Sequence, residues 1–272
     1  MRFEKWQGTG NHHVVLERDA LPFAMDAARA RALCDPCFGV GADGVLEISW
    51  EDGRPRMTVW NADGSVAQNC GNGIRIVARY LHRDGRLPAD GVVLTGAETT
   101  RVRVLDDGRV EVRMGAARFP AGEHRERLAV PGGAVELTEV SMGNPHAVVR
   151  HPDPGAAVRT LGPAVETDAR FPERTNVEFV RRDGPSELTM RVWERGVGET
   201  LACGTGACAV AAEAVRLDGA PSPVTVHLPG GDLLIAVGDD LQVTMTGPAE
   251  PLYAGELSAP LLARLGAAER AG

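Results

Sequence analysis

Apolar and polar positions alternate through six short runs: "PRMTVW", "TRVRVL", "RVEVRM", "LTMRVW", "DLLIAV" and "LQVTM". A period of two predicts strands with one buried face. Turn signals such as "DDGR" and "GDD" separate them. The period changes twice. In "NGIRIVARYL", Ile74, Val77, Ala78 and Leu81 recur at i, i+3, i+4 and i+7. In "GACAVAAEAV", Ala207, Val210, Ala211, Ala214 and Val215 do the same. Both stretches predict helices. The second has Glu213 as its only charge and is apolar nearly all round, so strands should wrap it. Shorter helices are expected at 24–34 and near the C-terminus. This is an α+β pattern.

The pattern occurs twice. Asn11 and Asn144, Met57 and Met190, Trp60 and Trp193, and Cys70 and Cys203 each lie 133 residues apart. "VVLTGAETTRVRVLDDGRVEVRMG" (92–115) resembles "VTVHLPGGDLLIAVGDDLQVTMTG" (224–247) at an offset of 132. Four blocks in one order at nearly one spacing imply two pseudo-symmetric, sheet-rich domains, each wrapped around a central helix. The join is expected in "FPAGEHRERLAVPGG" (119–133). The halves are then 1–118 and 119–257, with 258–272 packing back on the first.

Composition narrows the function. The net charge of −8 argues against a nucleic-acid partner, which requires a basic face. No apolar leader opens "MRFEKWQGTGNHH", and no stretch is long enough to span a membrane. With five cysteines, an odd number, the chain does not read as a disulfide scaffold. These features suggest a cytoplasmic protein with reduced thiols. Lys5 is the only lysine, in a context that does not suit a Schiff base.

Cys70 and Cys203 each open a C-G-x-G directly before a predicted helix. Glycine lets backbone approach a ligand closely. The N–H groups and partial positive charge of a helix start bind carboxylates and lower thiol pKa values. One such motif carries little weight, since a cysteine before a buried helix is more often a core residue. A matched pair in a duplicated chain suggests more. If two helix starts face one cleft, a carboxylate can sit between them with a thiol on either face of its α-carbon. One thiolate then removes the α-proton and the other thiol returns one, which is racemisation or epimerisation without a cofactor. Cys208 reads as core. Cys34 and Cys37 form a lone C-x-x-C without a second pair or histidine partner at zinc spacing, so no metal site is expected. His12 and His13 would face opposite sides of a strand, a poor geometry for one metal.

These residues are similar to those of the diaminopimelate epimerase family over essentially the whole chain. The motifs are "GTGN" (8–11), "GVGADG" (39–44), "NADGSVAQNCGNGIRIVARYL" (61–81), "VSMGNPH" (140–146), "FPERTNVEF" (171–179) and "ERGVGETLACGTGACA" (194–209), in the family's order. The resemblance implies an active site in a cleft between the two halves. It also implies cofactor-free interconversion of LL- and meso-diaminopimelate, in lysine and peptidoglycan precursor synthesis, by a homodimer. Cys70 and Cys203 match the catalytic thiols. Amides of Gly71, Asn72, Gly204 and Thr205 are placed to hold the reacting carboxylate. Asn11, Asn61, Asn144, Asn176, Glu194 and Arg195 match residues that read the distal end, where an arginine fork and amides suit a carboxylate. His146 matches a supporting histidine. The chain departs from the family at His12 and His13, where Asp and an aromatic are usual. It also has Gly44 where some members carry Gln, and Asn69 before the first cysteine.

Three other functions fit parts of this pattern. A two-cysteine racemase for proline, hydroxyproline or histidine would share fold and thiols, but the distal asparagines and Arg195 favour a second carboxylate. An isomerase of the phenazine-biosynthesis type would use carboxylates in place of the thiols. A non-catalytic amino-acid binder would have no need of two matched C-G-x-G sites.

Overall fold

The computed structural model describes residues 1–67, 70–96 and 98–267. Asn69 and residues 268–272 of the expected returning segment lie outside them. The chain begins with β1 (Arg2–Gly8), β2 (Asn11–Glu17), α1 (Ala27–Cys34), β3 (Gly44–Glu51), β4 (Arg54–Asn61) and β5 (Val66–Ala67). It continues with α2 (Gly71–Arg83), β6 (Asp90–Thr95), β7 (Glu98–Val104) and β8 (Val110–Ala116). Then follow β9 (Glu126–Val130), β10 (Gly133–Ser141), β11 (Pro145–Arg150), α3 (Pro154–Glu166), β12 (Asn176–Gly184), β13 (Glu187–Glu194) and β14 (Gly198–Thr200). The last elements are α4 (Gly204–Asp218), β15 (Val224–Leu228), β16 (Gly231–Val237), β17 (Gln242–Gly247), β18 (Glu250–Glu256) and α5 (Ala259–Ala267).

Two compact units result: Met1–Val112 with Pro248–Gly272, and Arg113–Gly247. The boundaries differ from the expected 118/119 and 257/258. The chain leaves the first unit within β8, and it returns early because β18 pairs antiparallel with β1, from Arg2 opposite Glu256 to Gln7 opposite Glu250. That pairing draws residues 248–257 into the first unit.

In the first unit, β2 lies parallel to β3, with His13 opposite Gly44, and β3 runs antiparallel to β4. The periodic residues of α2, Ile74, Val77, Ala78 and Leu81, are at most 1% exposed. A second cluster joins Val14, Leu16, Leu33 and Val45 to Leu257, Leu261 and Leu265, so the returning segment completes this unit's core.

The second unit repeats the arrangement. β11 lies parallel to β12, with His146 opposite Asn176, and β12 runs antiparallel to β13. Residues 206–214 of α4 are all buried. Alanine is the best helix former and its small side chain lets strands approach on every side. Glu213, the sole charge in that run, is 0% exposed and is held by Arg125 (2.8 Å) and Arg150.

Helix α3 has no counterpart in the sequence expectations. Its segment "PGAAVRTLGPAVE" carries two glycines and two prolines, poor helix formers by propensity. Tertiary packing overrides this. Asp153 caps the start through the Ala156 N–H, and Pro154 opens the helix, where its missing N–H costs nothing. Ala157, Val158 and Val165 are buried against Val177 and Phe179. Gly162 sits where a Cβ would lie 2.8 Å from Trp193, so only glycine permits that approach.

Candidate active site

The two cysteines begin their helices in the same way. Cys70 is the N-cap of α2 and Cys203 the N-cap of α4, both with extended backbone. Cys70 Sγ accepts the Gly73 N–H at 3.3 Å, and Cys203 Sγ accepts the Gly206 N–H at 3.4 Å. A sulfur in this position fills one of the donors that a helix start leaves open. Gly71 and Asn72, like Gly204 and Thr205, form the first turns, so their N–H groups point away from the helix body. The glycine after each pair gives room: a Cβ on Gly73 would meet Leu46 at 2.9 Å, and one on Gly206 would meet Glu178 Oε1 at 2.6 Å.

Electrostatics differ from the bare helix-start argument at Cys203. Its thiol is 7% exposed. Burial pushes it well above the ordinary thiol range, the negative charges of Glu194 and Glu178 add to the rise, and the Thr205 hydroxyl and Gly206 N–H oppose it. Glu194 is itself pushed up by burial, against the hydrogen bond from Thr200.

In the second unit, polar side chains connect into a chain. His146 is 1% exposed; its Nδ1 lies 2.7 Å from Glu178 Oε1 and its Nε2 lies 3.0 Å from Asn144 Oδ1. Asn144 Nδ2 donates to Thr205 Oγ1 at 3.3 Å, and that hydroxyl is 3.5 Å from Cys203 Sγ. Asn176 acts on backbone: its amide donates to the Pro145 carbonyl (3.0 Å) and accepts the Arg195 N–H (3.0 Å). This fixes the loop that presents the exposed Arg195. Glu166 holds the same loop, accepting from Gly196 N–H (2.8 Å) and Trp193 Nε1 (2.7 Å).

The first unit gathers Asn11, Asn72, Thr9 and Arg75. Asn11 Nδ2 donates to Asp43 at 3.0 Å, and Asn72 Nδ2 donates to Asn11 Oδ1 at 3.4 Å. Asn72 Oδ1 accepts from Arg75 (2.9 Å) and from Thr9 (3.2 Å), and Arg75 also binds the Pro248 carbonyl (3.0 Å). Asn61 closes its own turn through Ser65 (2.9 Å), within a loop where Gly64 takes a φ of +86°. The Gly44 position has no room for a side chain, because a Cβ would lie 2.6 Å from the Trp60 carbonyl oxygen and 3.1 Å from the His13 ring.

Glu178, Thr9, Arg75, Asp43 and Glu166 were not singled out in the sequence. Glu178 and Arg75 carried a usable signal, a charge in an otherwise apolar strand or helix run. Cys34 ends α1, buried, with its thiol pushed up to about 11 chiefly by that burial, while Cys37 is exposed. Among the described residues no cluster of three metal-ligating side chains occurs, and no helix is long and apolar enough to cross a membrane.

The diaminopimelate epimerase family profile matches residues 3–120 and 138–252. A diaminopimelate epimerase of Alkalilimnicola ehrlichii is 43% identical, over 94% of this chain and 98% of its own length. One of Geobacillus kaustophilus is also 43% identical, over 93% and 95%. Among solved structures, a phenazine biosynthesis protein of the PhzF family from Bacillus anthracis superposes with a TM-score of 0.71 at 16% identity, covering 95% of this chain and 99% of that one. A hydroxyproline epimerase from Agrobacterium vitis gives 0.69 at 13% identity, over 94% and 91%. At such identities the likeness is one of fold.

Proposed function

Since the chain belongs to the diaminopimelate epimerase family, we propose that it interconverts LL- and meso-diaminopimelate, with Cys70 and Cys203 as the two bases and no cofactor. The observation that carries this reading is the matched pair of cysteine caps: the same sulfur-to-amide contact in each half, each within a C-G-x-G. One cysteine, as thiolate, takes the α-proton. The other, as thiol, gives a proton to the opposite face, and the substrate leaves with inverted configuration. The carboxylate of the reacting centre is bound by amides of Gly71, Asn72, Gly204 and Thr205. Their helix-start charge stabilises the electron density that moves onto the carboxylate as the proton departs.

The distal ammonium and carboxylate are read by Glu194, Arg195, Asn11, Asn61, Asn144 and Asn176. Asn176 and Glu166 act here through backbone, by fixing the loop that carries Arg195. The resting Cys203 is the proton donor, as its buried setting beside two carboxylates favours the thiol. The protein works as a homodimer in the cytoplasm, by analogy with its family.

Reduced protein incubated with LL-diaminopimelate in D2O will incorporate deuterium at the α-carbon and form the meso isomer. Folded protein with free thiols that exchanges nothing would show the assignment to be wrong. Proline and hydroxyproline, which lack the distal carboxylate, will not exchange.

A further inference from the structure

The repeat gives each helix start a facing strand residue, and the two differ. Gly44 and Asn176 occupy the same place, each opposite the histidine of the preceding parallel strand. Two residues further on, the first unit has Leu46, packed against Gly73. The second has Glu178, packed against Gly206. A leucine suffices to fill that space. The carboxylate is 0% exposed, with Oε2 unpartnered and Oε1 shared with His146. Burying a carboxylate is costly unless it is put to use.

The geometry points to Glu178 as a positioning residue that fixes the direction of a hydrogen-bond relay ending on Cys203. It rests on the two-thiol reading above. The relay runs from Glu178 through His146, Asn144 and Thr205 to the sulfur, every link being 3.5 Å or less. Asn144 Oδ1 can only accept, so His146 Nε2 carries a proton. One further proton lies between Nδ1 and Glu178 Oε1, whether the pair is written as imidazolium and carboxylate or as imidazole and acid. With its oxygen engaged, Asn144 turns its NH2 to Thr205. The threonine oxygen therefore accepts, and its own proton is left for Cys203. The sulfur gains a donor that strengthens when it ionises. Glu194 on β13 and Glu178 on β12 oppose that ionisation, and His146 on β11 is the basic group on their side. Removing the glutamate therefore has two opposed effects on Cys203: it relieves a repulsion, and it releases the direction of the relay.

The test is alkylation by iodoacetamide across pH, with Cys203 and Cys70 read separately by peptide mass spectrometry. No diaminopimelate is present, so its outcome is independent of the substrate assignment. Glu178→Leu, which installs the first unit's residue, should speed Cys203 where Thr205 is already valine, because only the relieved repulsion then acts, and should speed it about tenfold less, equivalent to one pKa unit, where Thr205 is intact, leaving Cys70 unchanged in both. Thr205→Val alone should slow Cys203 about tenfold at fixed pH. In the double variant the two effects should not multiply, as expected for members of one relay. Multiplying effects, or equal slowing at Cys70, would overturn the proposal. If Glu178→Leu does not fold, nitrogen NMR of His146 in the unaltered protein decides. A protonated Nε2 over the active pH range supports the relay, and a bare Nε2 excludes it.

Discussion

The mouths of α2 and α4 are built on one plan and furnished differently. Each has a cysteine cap, a close glycine and an asparagine 59 residues upstream of the cysteine. At the α2 mouth, the polar side chains face inward. Asn72 is committed to Arg75, Thr9 and Asn11, and Leu46 fills the space beneath. At the α4 mouth the Asn72 position is Thr205, the Arg75 position is Cys208, and the Leu46 position is Glu178. The polar groups there turn toward the sulfur. The repeat supplies two equivalent caps, and the residues beside them differ at three positions.

The comparison can be broken most directly at the sulfurs. Cys70→Ser and Cys203→Ser should each lower epimerisation by about 10³-fold, within the range for loss of a positioned acid or base. Deuterium incorporation at the α-carbon checks this. If either single variant kept full activity, the two caps would not be two halves of one reaction.

The glycines come next. Gly206→Ala drives a methyl against Glu178 Oε1, a buried group that cannot retreat without breaking its bond to His146. A loss of about 3 kcal/mol is expected in urea unfolding. Gly73→Ala meets the end of a leucine, which can shift, and should cost about 1 kcal/mol. Equal losses would mean that Glu178 and Leu46 are held alike.

Histidines offer a third contrast. Burial pushes His13 down to about 4, so the folded state holds it neutral. Below an unfolded pKa near 6.5 the unfolded chain binds a proton that the folded chain refuses. Stability is therefore complete above that value and is lost as pH falls toward 4. From pH 7 to 5 the expected loss is about 2 kcal/mol. His13→Leu should remove that part of the acid sensitivity in urea melts at the two pH values. The smallest effect is expected from Cys208→Ala. It trims one sulfur atom from a fully buried site and should cost about 1 kcal/mol, with activity retained.

Much of this was legible in the chain because period and repetition are local or arithmetic signals. The strand alternation, both central helices and the matched places of Cys70 and Cys203 at their starts all came from spacing. The family motifs added Asn11, Asn144, Asn176, Glu194 and Arg195. Helix α3 was hidden because its prolines and glycines speak against a helix until Trp193 and β12 are there to pack on. The early return at Pro248 was hidden because pairing between β18 and β1 is a contact between distant parts of the chain. The raised Cys203 thiol was unreadable for a related reason. A helix start argues for a lowered pKa, and only the three-dimensional neighbourhood shows burial, Glu178 and Glu194 reversing it. Asn61 is expected to be a substrate ligand, and in the structure it closes its own turn through Ser65; spacing does not separate these two readings.

A sulfur that serves at once as base and as helix cap ties the position of a proton to the state of a backbone. As thiolate, Cys203 accepts the Gly206 N–H strongly. As thiol, it holds that amide weakly. The same is true of Cys70 and Gly73. On the two-base reading proposed above, each turnover moves the firmer knot from the head of one helix to the head of the other. The amides of Gly73 and Gly206 become natural gauges of the catalytic state, their proton shifts reporting which sulfur is charged while the substrate itself remains unlabelled.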